Sequence, residues 1–313
     1  MAKSVLTAAR FTDETAAREH LERIRWNGKP VCPHCGSLER NVKLNGEAHR
    51  PGLLFCGDCR TQFTVTVGTV FERSKVPLHK WLLATHLLCA SKKGMSSKQI
   101  ERMLGVSYKT AWFMTHRIRE AMRPAAVIAP MGQGGGGVEI DETYIGRDPL
   151  KSKPKYGPAQ KQRVLSLVDR SSGRAVSMVA DSLHAKTLIP ILKENISREA
   201  RILTDGAAHF NILPLLFADH QSVDHGRKEY VRVSDRTVHT NTIEGFFSIF
   251  KRGMKGTYQH CGKQHLHRYL AEFDFRYSER IKLGVNDSQR ADKALKGISG
   301  KRLTYRRIDG AQN

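Results

Sequence analysis

The chain has 313 residues, 40% of them hydrophobic and 7% aromatic, and sets 52 Lys+Arg against 30 Asp+Glu for a formal charge of +22. That length predicts two or three domains with ordinary cores, and so positive a balance is the footprint of a polyanion binder, with nucleic acid the leading partner. The apolar stretches fall far short of the roughly 18 residues that cross a bilayer, the N-terminal segment holds no secretory apolar core, and four of the six cysteines form two tight pairs rather than a disulfide framework, so membrane and secreted classes are set aside and a cytoplasmic protein is expected.

Residues 1–30 predict an N-terminal helix: the run from Thr12 to Trp26 opens on a capping residue and acidic positions and places Ala17, Leu21 and Ile24 on one face. Residues 31–75 predict a zinc ribbon. Cys32-Pro-His-Cys35 and Cys56-Gly-Asp-Cys59 each present two sulfurs at one turn, and the hairpin between them brings the pairs around one tetrahedral Zn²⁺. The alternating stretch Gln62–Gly68 reads as a strand.

Residues 76–129 predict a helical region containing a helix-turn-helix. A short capped helix buries Ile100 and Leu104, Gly105 turns, Val106 anchors, and Ser107 caps a second helix bearing Tyr108, Lys109, His116, Arg117 and Arg119. Lys109 and Arg117 are the expected DNA contacts. The glycine-rich stretch 130–137 predicts a flexible linker.

Residues 138–280 change to strand patterns: 138–145, 163–168 and 175–180, then a helix near 188–196, a strand at 201–203, and later helices. That order predicts an RNase H-like α/β domain, in which the first and fourth strands lie side by side. Asp141 and Asp205 then face each other. Asn241, Glu244, Ser248 and Lys251 recur at helical spacing and form one stripe beside them. Three carboxylates so placed predict a two-metal phosphoryl-transfer site, two Mg²⁺ or Mn²⁺ ions held by Asp141, Asp205 and Glu244. Glu139 shares the strand face of Asp141, and two acids there are expected to need a cation. Carboxylate outranks amide as a ligand for a hard cation, which favours Glu244 over Asn241. Lys251 and Arg252 are expected on the DNA backbone, as are Lys151, Lys153, Lys155, Lys161 and Arg163. His184, His209 and His239 are given no role beyond DNA contact. Residues 281–313 read as a basic C-terminal tail.

These segments together resemble bacterial insertion-sequence transposases that join a zinc ribbon to a D-D-E, or in some members D-D-N, catalytic domain. The resemblance rests on Arg25-Trp26 before Cys-Pro-His-Cys-Gly36, on Gln62–Phe71 and Lys75-Val-Pro-Leu78, on Glu139–Gly146, on Thr204-Asp-Gly206, and on His239–Glu244 with Lys251-Arg252. It implies cleavage at transposon ends and transfer of the freed 3′-hydroxyl into target DNA with two Mg²⁺ ions, Asn241 standing as the alternative third ligand. It also implies DNA ends and target as partners, a homodimer or larger assembly on DNA, and a nucleoid-associated location. A non-catalytic regulator derived from such a transposase, and a nuclease without strand transfer, are the competing readings.

Overall fold

A computed structural model describes residues 4–124, 129–146 and 161–304. In chain order they form α1 (Glu14–Trp26), β1 (Asn41–Lys43), β2 (Leu54–Cys56), β3 (Thr61–Phe63), α2 (Leu78–Ala90), α3 (Ser97–Leu104), α4 (Tyr108–Met122), β4 (Gly137–Ile145), β5 (Gln162–Asp169), β6 (Ala175–Ala180), α5 (Ala185–Asn195), β7 (Arg201–Asp205), β8 (Asp219–Val223), α6 (Asn241–Gly253), α7 (Lys263–Ser278) and α8 (Asp287–Lys296). They divide into two compact units. One comprises Met1–Ser91, Met95–Pro124 and Asn286–Asn313; the other comprises Lys92–Gly94 and Ala125–Val285.

In the first unit, α1 starts where the Asp13 carboxylate accepts the Ala16 N–H at 2.7 Å, and stops at Asn27 in the left-handed conformation, φ 45°. Strands β1, β2 and β3 make a small antiparallel sheet. Helix α2 opens at Pro77, whose side chain cannot cap; Glu14 of α1 takes that place, accepting the Leu78 N–H at 2.8 Å. Ser96 and Ser107 cap α3 and α4, Gly105 turns between them at φ 59°, and Ile100 and Leu104 are buried, as their spacing predicts. His116 and Arg119, expected on a solvent face, are instead buried in the helical core.

The segment 281–313 is not simply a tail. Asn286 and Gln289 form a capping box, and α8 buries Ala291, Ala294 and Leu295. Arg290 Nη1 donates to the Cys89 carbonyl at the end of α2, 2.8 Å away. Four apolar side chains, Ala291, Ala294, Leu295 and Ile298, thus complete the core of the N-terminal unit.

The second unit is a five-stranded mixed sheet in the order β6-β5-β4-β7-β8. Strands β4, β5 and β6 are antiparallel neighbours, while β7 runs parallel to β4 and β8 parallel to β7. With α5 between the third and fourth strands, this is the RNase H-like arrangement. Val138 and Ile140 of β4 point to the face covered by α5, where they join Leu188, Leu192 and Ile202. The alternate residues, Glu139, Asp141, Thr143 and Ile145, point to the face covered by α6 and α7, whose Ile243, Phe246, Phe250 and Phe273 fill that side.

The glycine-rich stretch is an ordered entry to β4 rather than a flexible linker. Met131 is 1% exposed in the α5-side core and its N–H donates to the Asn195 carbonyl at 2.8 Å. Gly132 has φ 71°, and a Cβ there would stand 2.4 Å from the Ala200 side chain. The glycines are there for close approach and left-handed turns.

Candidate functional site

The parallel pairing of β4 with β7 places Val138 beside Ile202 and Glu139 beside Leu203. Asp141 and Asp205 sit two residues further along each strand, abreast, on the face that carries α6. Burial, and after it the negative charge of Asp205, pushes the Asp141 carboxyl up to about 7; Glu142 and Glu244 push the same way, while the Glu142 N–H, donating at 2.7 Å, opposes them. Glu244 lies in the first turn of α6, close enough to act on Asp141. Its Oε1 accepts from the Thr240 hydroxyl at 3.1 Å and lies 3.6 Å from His225 Nε2. Asn241 opens α6, and Asn241, Glu244, Ser248, Lys251 and Arg252 are all exposed, the stripe expected from their spacing.

Three carboxylates that repel one another around one partly buried member form an oxygen-only donor set, which suits a hard divalent cation. In the metal-free chain burial and that repulsion together favour the protonated form of Asp141.

Glu139 does something else. Its side chain is fully buried, and the cation beside it is Arg170: Nε donates to Glu139 Oε1 at 2.5 Å. The expectation that the acids of β4 jointly need a metal is therefore corrected for Glu139, whose charge a guanidinium neutralises. The other oxygen accepts the Ile243 N–H at 2.7 Å, capping α6 from β4. Arg170 also donates to the carbonyls of Thr237 at 2.5 Å and His239 at 2.6 Å. The residues that lead into α6 are thereby tied to the strand that carries Asp141. Sequence reasoning missed Arg170, although a buried strand glutamate was the signal that a partner existed.

Two further features were also missed. His209 Nε2 lies 2.9 Å from Glu142 Oε2, and burial raises the Glu142 carboxyl despite that neighbour. Across the sheet from Asp141, Ser166 of β5 meets the Ser177 hydroxyl of β6 at 2.8 Å; Ser177 donates its N–H and hydroxyl to Asp274 of α7, each at 2.7 Å.

In the first unit the ligand atoms of Cys32, Cys35, Cys56 and Cys59 all lie within 4.8 Å of one another. Cys32 and Cys59 sulfurs are 3.6 Å apart, as are those of Cys35 and Cys56. Four thiolates around a tetrahedral zinc with Zn–S of about 2.3 Å stand about 3.8 Å apart, so the set fits.

The basic positions divide. Lys109 is exposed on the first turn of α4, but Arg117 is half-buried: its Nε donates to the Leu303 carbonyl at 3.2 Å and its Nη1 to the Glu72 carbonyl at 3.1 Å. Arg117 holds backbone, where groove contact was expected. Lys251 and Arg252 are exposed on α6. Lys151, Lys153 and Lys155 lie outside the described residues.

Comparison with known families matches residues 12–62 to a transposase zinc-ribbon domain and residues 133–278 to an ISXO2-like transposase domain. The chain carries the zinc-ribbon and transposase domains of insertion-sequence transposases. An uncharacterized protein in transposable element ISH50 of Halobacterium salinarum is 29% identical over 284 residues, covering 85% of this chain and 91% of that relative. Among solved structures, the intasome of simian T-cell lymphotropic virus in complex with PP2A regulatory subunit B56 gamma aligns at 14% identity and a TM-score of 0.28 over 56% of this chain. The aligned part spans 63% of that structure's chain. The family match embraces both strands that carry the aspartates and all of α6, so the three carboxylates fall within the transposase domain.

Proposed function

We propose that this transposase binds the ends of its insertion sequence, cleaves them, and joins the freed 3′-hydroxyl to target DNA. The observation that carries the reading is that Asp141 and Asp205 stand abreast on parallel strands, with Glu244 of α6 near enough to raise the Asp141 carboxyl. Their oxygens would hold two Mg²⁺ or Mn²⁺ ions, which when bound supply a polarised attacking oxygen and stabilisation of the leaving one. In each step the attacking oxygen, of water and then of the 3′-hydroxyl, forms a bond to phosphorus as the bond to a leaving 3′-oxygen breaks.

The chain's own groups have separate tasks. Cations held there would favour the ionised form of Asp141, whose carboxyl is raised by burial and by the charge of Asp205. Thr240 donates to Glu244 Oε1 and orients that carboxylate. Lys251 and Arg252, exposed on the same helix, meet the phosphodiester backbone that leads to the reacting bond. The four-cysteine cluster binds Zn²⁺ as a closed structural site, with no position open for chemistry. Because two ends must be joined to one target, the working form is a dimer or larger on DNA, in the compartment that holds the chromosome.

The test is strand cleavage and strand transfer on a duplex carrying the terminal sequence. Asp141→Asn, Asp205→Asn and Glu244→Gln each lower both steps by orders of magnitude in Mg²⁺ while duplex affinity is kept. Glu244 rather than Asn241 is assigned as the third ligand, since a carboxylate outranks an amide oxygen for a hard cation. Near-normal cleavage by Glu244→Gln together with a dead Asn241→Ala would reverse that assignment. Cleavage with no joined product in the wild-type protein would leave a nuclease.

A further inference from the structure

The sheet parts where its two aspartates stand. Strand β4 pairs with β7 only from Gly137 to Glu139, against Arg201 to Leu203. Beyond that point β4 stays with β5 as far as Ile145, and β7 stays with β8 as far as Asp205. Asp141 and Asp205 therefore flank a seam that the β4–β7 ladder does not reach. Each carboxylate is held from its own side: Asp141 Oδ1 accepts the Glu142 N–H at 2.7 Å, and Asp205 Oδ1 accepts the Ala207 N–H at 3.2 Å.

Among the described residues, one side-chain hydrogen bond crosses the seam from β4 to the segment after β7. His209 Nε2 donates to Glu142 Oε2 at 2.9 Å, and both side chains are half-buried. His209 sits in the short helical turn Ala208–Phe210 that follows Asp205, and Phe210, 1% exposed, roots that turn in the α5-side core. Glu142 follows Asp141 directly, so its side chain leaves the opposite face of β4, while its N–H is the donor that orients the Asp141 carboxylate. A displacement of Glu142 is thus passed to Asp141, and a displacement of His209 to the segment that carries Asp205.

We propose that the Glu142–His209 pair is a clasp that sets the separation of Asp141 and Asp205, and with it the fit of the site to Mg²⁺. The inference deepens the reading of these carboxylates as ligands of divalent cations and rests on it. Glu142 and His209 are positioning residues, acting through the two aspartates. Discrimination between cations follows from coordination chemistry. Mg²⁺ demands a near-ideal octahedron of oxygens at about 2.0–2.1 Å, whereas Ca²⁺ accepts about six to eight oxygens at about 2.3–2.6 Å in flexible arrangements. Ligands on two strands that drift apart still wrap the larger ion but no longer fit the smaller. A purely electrostatic role for His209 predicts the opposite sign: removing a histidine only takes positive charge away, which leaves cation affinity unchanged or raises it.

The experiment is calorimetric titration of the full chain with MgCl₂ and, separately, with CaCl₂, in the absence of DNA. His209→Ala should weaken Mg²⁺ binding about tenfold or more, the usual cost of losing a partner that stands behind a metal ligand. Ca²⁺ affinity should be kept, which also checks that the variant is folded. His209→Gln, whose amide still donates to Glu142, should recover most of the Mg²⁺ loss. In a Glu142→Ala background, where the clasp is already open, His209→Ala should cost nothing more. Mg²⁺ affinity that is unchanged or raised in His209→Ala, or a loss equal for Mg²⁺ and Ca²⁺, overturns the clasp. Wild-type protein that binds neither cation overturns the catalytic reading and the clasp together, whereas wild-type binding with indifferent variants overturns the clasp alone.

Discussion

At Asp141, burial and the Asp205 charge act in the same direction, and the consequence is a pH-dependent stability that metal should remove. Its carboxyl stands at about 7 in the fold against a usual value of 3.8. Between those values the unfolded chain releases the proton and the folded chain keeps it, so stability falls as pH rises through that window and is level on either side. Bound Mg²⁺ compensates the charge. The melting temperature should therefore gain more from Mg²⁺ at pH 8 than at pH 5. Asp141→Asn should raise the metal-free melting temperature at pH 8 by at least about 2–4 °C, the shift given by ~1 kcal/mol in a domain of this size, and should abolish most of the Mg²⁺ gain. Burial pushes Asp274 to about 7 as well, against the pull of the Ser177 donors, so a smaller slope of the same sign should survive in Asp141→Asn and ignore Mg²⁺. An equal Mg²⁺ gain at both pH values would remove Asp141 from the ligand set. The cysteines offer a separate check: elemental analysis should find one zinc per chain, and Cys56→Ser should lose it. The cysteine cluster and the placing of Asp141 beside Asp205 were legible, each from its own pattern. Cys-x-x-Cys is a local geometry, and the aspartates are brought together by a strand register that hydrophobic patterning sets. Arg170 and His209 were not legible, because each meets its glutamate across a loop whose path no local pattern specifies.

Helix α6 shows how an element can be placed by a residue that takes no part in chemistry. Its amphipathic pattern predicts which face turns to solvent, but not how far its first turn lies from β4. That distance is held by Glu139, which accepts the Ile243 N–H and is neutralised by Arg170. Removing the guanidinium leaves a buried carboxylate without a counter-charge, a change that typically costs about 3–5 kcal/mol. Arg170→Ala should accordingly lower the urea midpoint strongly and abolish cleavage in Mg²⁺. Arg170→Lys, which keeps the charge but not the fork that reaches Thr237 and His239, should recover stability more than activity. If Arg170→Ala unfolds at the wild-type midpoint, the pair does not hold α6. The pair of helices α3 and α4 gives the opposite lesson. Its caps and its glycine turn were readable, yet Arg117 and Arg119, counted as surface charge, go to carbonyls and to the core.

For the whole molecule the departure from expectation is α8. Its charged residues mask a short apolar stripe, and the Asn286–Gln289 capping box was the signal that a helix begins there. Deleting the chain beyond residue 285 should expose the core formed by α2 and leave the first unit unstable. We expect a lower melting temperature, rapid proteolysis near α2, and loss of duplex binding even though every cysteine and every helix-turn-helix residue remains. Retained binding would show that α8 is dispensable.

The same division of the chain sets an order of assembly. The unit that carries the five-stranded sheet is an insertion within the unit that carries the zinc ribbon, and the segment of that outer unit from Asn286 onward follows the sheet in the chain. A nascent chain that has emerged only as far as α4 holds its metal-binding cysteines but lacks the helix that closes its core. The core of the outer unit should thus close only after the five-stranded sheet has emerged. Premature termination, or a frameshift after α7, would leave the five-stranded sheet whole and the outer unit without the helix that completes its core.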